Sequence, residues 1–102
     1  PLTRENVQRI VELQFQSVAK MLKENDIRLT ATEAAIDWLA QLGFDPQFGA
    51  RPVKRVIQKR VLNELSKQLL AGKIQKDADI LLDLEKNELV FKNISKIYMK
   101  VI

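Results

Sequence analysis

LGFDPQFGARPVKRVIQKRVLNELSKQLLAGKI, residues 42–74, joins the end of one helix pattern to the whole of another, and its reading decides the fold. Gly43 follows the last periodic residue before it and reads as a left-handed C-cap glycine. Asp45-Pro46 carries turn chemistry, and Gly49 gives the backbone freedom a side chain would deny. Pro52 suits the first turn of a new helix, where its missing N–H costs nothing. From there Val53, Ile57, Val61, Leu65 and Leu69 recur every four residues as a continuous apolar edge, with Val56 and Leu62 beside it. Gly72 closes that helix.

Upstream, Thr3 is placed to cap a helix whose first turn holds Glu5, favourable at the positive end of the dipole. Val7, Ile10, Val11, Val18, Met21 and Leu22 follow a period near 3.6, Leu13 and Phe15 widen the stripe, and the helix is expected to end near Lys23. Asn25-Asp26 turns the chain, and Ile27, Leu29 and Ala31 alternate as a short strand. Thr32 caps a second helix with Ile36, Leu39 and Leu42 inward, while Trp38 and Phe44 read as core. Downstream, Ile80, Leu82 and Leu84 alternate, Lys86-Asn87 turns, and Leu89 to Phe91 return as a hairpin. The expected fold is a compact α+β domain of three main helices, a short strand and a C-terminal β-hairpin. The closing ISKIYMKVI has no assigned place.

At 102 residues with 46% hydrophobic side chains, the chain is one domain with enough surface to bury a core. It has no cysteine and no histidine, which removes thiol and imidazole chemistry and most zinc sites. The lack of cysteine fits a reducing compartment. No apolar run is long enough for a membrane span, and nothing resembles a signal peptide. The opening PLTRENVQRI lacks an initiator methionine and is read as part of a piece cut from a longer protein.

The net charge is +4, and its distribution says more than its size. Between Asp45 and Glu64 there is no acidic residue, while Arg51, Lys54, Arg55, Lys59 and Arg60 all fall there. A residue before proline avoids the α region, so Arg51 should stand just outside the helix, beside free backbone N–H groups that favour an anion. Its planar fork suits phosphate oxygens. Spacing alone favours the plainer reading, a surface arginine after a turn. The row Arg51, Arg55, Lys59 likewise reads first as the solvated side of an amphipathic helix. A basic helical nucleic-acid-binding module is the alternative, opposed by Val53, Val56 and Ile57 in the leading turn and by the modest charge. The carboxylates at Glu24-Asp26, Asp77-Asp79 and Asp83-Glu85-Glu88 read as solvated groups. The three glycines form no phosphate-cradling loop, so the chain is not a complete enzyme.

The run Gly43, Phe44, Asp45, Pro46, Phe48, Gly49, Ala50, Arg51, Pro52, Val53, Lys54, Arg55 resembles the core motif of the C-terminal small domain of Clp-type AAA+ ATPases. It is most like the second AAA+ module of the ClpB-type disaggregases, on overall similarity against the ClpC and ClpA types. The resemblance extends over residues 1–92 and leaves 93–102 as an unassigned tail. It implies that Arg51 is the sensor-2 arginine, reaching the phosphates of ATP bound in the preceding large domain. Gly49, Ala50 and Ile10 would border the adenine side. It further implies that the ATP-binding and magnesium-binding motifs lie in that large domain. The partners would be the large domains of the same chain and of adjacent protomers in a cytoplasmic hexamer. Aggregated or unfolded proteins would be the substrates. Surfaces meant for such neighbours should be apolar and exposed.

Overall fold

The computed structural model describes residues 3–74 and 77–94. Thr3 opens α1 (Arg4–Lys23), its Oγ1 accepting from the Asn6 N–H at 3.2 Å. The buried line is Val7, Val11, Phe15, Val18 and Leu22. Phe15 is therefore central to the stripe, whereas Leu13 is 54% exposed. Two residues from both Val11 and Phe15, Leu13 lies about 200° round the helix from each. Met21 also faces outward at 43%. Asp26, with φ 63°, makes the tight exit into β1 (Ile27–Ala31).

Thr32 caps α2 (Glu33–Gly43) through an Ala35 N–H bond of 3.2 Å to its Oγ1. The inner face of α2 is Ala35, Ile36, Leu39, Ala40 and Gly43, a 3.6-period row that leaves Leu42 40% exposed rather than inward.

The third helical stretch is one run in three parts: α3 (Val53–Ile57), a π-helical segment (Gln58–Asn63) and α4 (Glu64–Leu70). Backbone angles at both junctions stay in the right-handed helical region, so the axis is unbroken. Val53, Ile57, Val61 and Leu65 are each no more than 2% exposed. In a pure α-helix, steps of four drift about 40° apiece. The wider π turn, bonded i to i+5, winds less per residue and offsets that drift. It keeps all four side chains on the core.

β2 (Ala78–Glu85) is the middle strand of a three-stranded sheet, parallel to β1 and antiparallel to β3 (Glu88–Asn93). The hairpin turns on Lys86 and Asn87, with φ 50° and 61°, the mirror-image geometry matching strand twist. Leu39, Ile57, Leu65, Ile80 and Leu82 form the centre of the core, with the helices over one sheet face. The α+β fold read from sequence is the one observed.

On the outer face the carboxylates are not simply solvated. Arg28 pairs with Asp79 and, at 3.1 Å, with Asp77. Lys92 pairs with Asp83 at 3.0 Å and with Glu85. Asp83 also accepts from the Leu84 N–H at 2.8 Å and the Thr32 hydroxyl at 2.9 Å. Those bonds, the Leu84 N–H first, hold its carboxyl below the ordinary range. Pairing continues through Asn93, and the Ile94 N–H donates to the Asp79 carbonyl at 2.8 Å. The tail residues 95–102 lie outside the described residues.

Candidate functional site

The loop between α2 and α3 is built by Asp45. Its N–H and carbonyl exchange bonds of 2.8 and 2.7 Å with Gly49, closing a small ring of backbone. Its side-chain Oδ1 accepts from the N–H groups of Gln47 at 2.7 Å and Phe48 at 3.0 Å. Gly49 closes that ring at φ 65°, a conformation costly for any residue with a Cβ. The Arg51 N–H then donates to the Phe48 carbonyl, and the Val53 N–H to that of Ala50. Arg51 thus stands outside the helix, as its place before proline requires, and Pro52 takes the N-cap position.

Gly43 does something other than the expected left-handed cap. It does not have positive φ, and Phe44 after it is extended. Its role is close approach, since a Cβ there would lie 2.7 Å from Val53 Cγ2 and 3.1 Å from Val53 Cα. The end of α2 and the start of α3 touch backbone to side chain.

This frame presents Arg51 to solvent, its guanidinium 5.7 Å from the centroid of the Phe48 ring. Among the described residues Arg51 has no carboxylate within ion-pair distance, and neither have Lys54, Arg55 or Lys59. Arg51 and Arg55 share a cleft of about 310 Å³ with Phe48 and Pro52. Two guanidinium forks beside an aromatic face suit a phosphate or carboxylate group next to an apolar one. Gly49 and Ala50 form the backbone leading into this cleft. Ile10 is on α1, half-buried against the core, and does not line the cleft.

The other basic side chain of the interval is engaged elsewhere. Arg60 lies 5.9 Å from the Trp38 ring, so Trp38 is partly buried under a cation. Phe44, expected in the core, is 42% exposed and walls a second cleft of about 480 Å³ between α1 and α2. Asp37 crosses that cleft, accepting from Arg4 and Gln8, both at 2.8 Å. The Arg4 guanidinium, with Gln8, holds the Asp37 carboxyl below the ordinary range. Sequence reading missed this pair, since 33 residues separate its members.

No group of three acidic side chains among the described residues is placed to hold a metal ion, and none of their helices is long and apolar enough to cross a membrane. The nucleic-acid alternative finds no support in the leading turn, where Val53 and Ile57 are buried in the core.

The family profile described as the C-terminal, D2-small domain, of ClpB protein matches residues 2–82. The chaperone protein ClpB of Bacteroides thetaiotaomicron is 48% identical over 93 residues, 91% of this chain and 11% of that protein. The probable chaperone protein ClpB 1 of Chlorobaculum tepidum is 44% identical over 92 residues, 90% of this chain and 21% of that protein. A chloroplastic ClpB of Arabidopsis thaliana is 47% identical over 85 residues, 83% of this chain and 9% of that protein. The chain spans between about a tenth and a fifth of the length of these curated relatives. With a profile covering most of its length and an α+β fold to match, the chain belongs to the family of ClpB C-terminal D2-small domains.

Proposed function

We propose that this domain is the small C-terminal domain of an ATP-driven, ring-forming protein disaggregase, and that Arg51 is its sensor-2 residue. The observation that carries the reading is the state of Arg51. It is exposed, lacks an ion-pair partner among the described residues, and is mounted on a loop fixed by the Asp45–Gly49 bonds. Family membership supplies the context, because the similar full-length proteins are named as chaperones.

ATP, where bound, would supply the phosphates, with its magnesium held by the preceding large domain. Arg51, with Arg55 beside it, would donate to those phosphates from one edge. Gly49 and Ala50, and Ile10 across on α1, would face the adenine side. Phe48, 52% exposed, and Phe44 are apolar surfaces suited to the large domain of the same chain or of an adjacent protomer in a hexamer. A charge-assisted hydrogen bond contributes about 1.5–3 kcal/mol, enough to shift a balanced hinge roughly tenfold or more when the phosphate leaves. That difference would couple hydrolysis to rotation of the small domain, and so to remodelling of aggregated proteins in the cytoplasm.

Arg51→Ala in the intact protein tests this. ATP turnover, or its coupling to disaggregation, should fall about tenfold or more, while the domain keeps its fold by circular dichroism. Wild-type disaggregation by that variant would refute the sensor role. The domain alone should hydrolyse no ATP, and turnover by a clean preparation would equally overturn the proposal.

A further inference from the structure

Phe48 is 52% exposed, so burial does not account for an aromatic ring at this position. The Arg51 guanidinium lies over that ring, its carbon 5.7 Å from the centroid and inside the range of a cation–π contact. The two residues stand three apart across the turn and are held by the same backbone. The Phe48 N–H donates to Asp45 Oδ1 at 3.0 Å, and the Arg51 N–H donates to the Phe48 carbonyl at 3.3 Å. Pro52 restricts the backbone on the far side of Arg51, with φ −72°. Ring and guanidinium therefore leave from one hydrogen-bonded turn, and with Pro52 and Arg55 they wall the same cleft.

A guanidinium can be held in place in two ways. A carboxylate takes its N–H donors and cancels its charge, as Asp79 and Asp77 do for Arg28. An aromatic face attracts it through the π cloud, leaving the positive charge in place and the donor fork free. The two also differ in strength. An exposed cation–π contact biases a side chain about two- to fivefold, whereas a charge-assisted hydrogen bond to an anion favours its pair by about tenfold or more. A ring can therefore order Arg51 and still yield it to a phosphate.

We propose that Phe48 is the positioning residue of Arg51, a ring that orders the guanidinium at the cleft before a phosphate arrives and does not neutralise it. This rests on the sensor-2 reading of Arg51 and adds to it the group that sets the direction of the arginine. The neighbouring aromatic side chains are committed elsewhere. Trp38 lies beside Arg60, and Phe44 walls the cleft between α1 and α2. Phe48→Leu keeps an apolar side chain and removes the π face, while Phe48→Tyr keeps that face.

Two measurements test it. In this chain the Arg51 Nε–Hε proton should resonate upfield, under the ring current of Phe48. Phe48→Leu should abolish that shift and Phe48→Tyr should keep it, and an Hε signal unmoved by Phe48→Leu would overturn the proposal. In the intact protein, Phe48→Leu should raise the ATP concentration for half-maximal turnover about two- to fivefold. Phe48→Tyr should stay near wild type, and in an Arg51→Ala background Phe48→Leu should add nothing. An equal effect of Phe48→Leu with and without Arg51 would overturn the positioning role, since the ring would then act on something other than the arginine. If Arg51→Ala weakens turnover and Phe48→Leu does not, the positioning role alone fails. If Arg51→Ala changes nothing, the sensor-2 reading fails and this proposal falls with it.

Discussion

The two faces of the third helical stretch, residues 53–70, are made from the same backbone and could hardly differ more. The inner row, Val53, Ile57, Val61 and Leu65, is almost wholly removed from water, and the π-helical turn keeps it aligned. The outer row, Arg55 and Lys59, with Arg51 on the loop just before the helix, is exposed and lacks carboxylate partners among the described residues. On the outer face of the sheet, by contrast, Arg28 and Lys92 are each matched with two carboxylates. A cation already paired is part of the domain's own structure. A cation left free on a stiff backbone is available to something else.

The sharpest way to break the contrast is from within. Leu65→Ala should cost about 2–5 kcal/mol in denaturant unfolding, the range for emptying a buried leucine site; a cost below about 1 kcal/mol would mean the inner row does not hold the helix. Gly43→Ala should cost about 1–3 kcal/mol by overpacking against Val53. Gly72 offers the matching control, for nothing lies within 4 Å of a Cβ there but φ is 75°. Gly72→Ala should cost about 1 kcal/mol through conformation alone, and Gly72→Asn should recover part of it because asparagine tolerates that region. Gly43→Asn should recover nothing. If both asparagine variants behaved alike, the two glycines would not serve distinct purposes.

The paired charges of the sheet should show themselves through pH. Asp83 has its carboxyl held low in the folded state, so its contribution is present above the unfolded value, near pH 4. It is lost as pH falls through the folded value. Asp83→Asn should therefore flatten the acid limb of a melting-temperature profile, and an unchanged limb would contradict the network. The smallest effects belong to the outer helix row, where Arg55→Ala and Lys59→Ala should each stay within about 0.5 kcal/mol of wild type. A larger loss would show that these cations do have a structural duty.

Features set by neighbouring residues were legible in the sequence. Thr3 and Thr32 cap their helices, Lys86-Asn87 makes the hairpin turn, and Asp45 and Gly49 shape the loop before Arg51. Features set by distant residues were not. The parallel pairing of β1 with β2 joins Ile27 to Ala78, a match that no local pattern announces. Arg4 with Asp37, and Arg28 with Asp77 and Asp79, look like ordinary surface charges until the fold brings them together. Gly43 carried a signal that fitted two physical uses, and only the nearness of Val53 separates a glycine chosen for φ from one chosen for lack of bulk. Likewise an apolar repeat of four is read as α-helical whether or not a π turn absorbs its drift.

The contact of Gly43 with Val53 also has a mechanical meaning. Protein interiors are close-packed and pass displacement on with little give. At this corner there is no long side chain to bend, only the α2 backbone against a β-branched valine two residues from Arg51. Val53 bears on the end of α2, and α2 in turn packs on α1 and the central strand. The corner acts as a brace, so the loop that carries Arg51 is anchored where the start of α3 meets the end of α2.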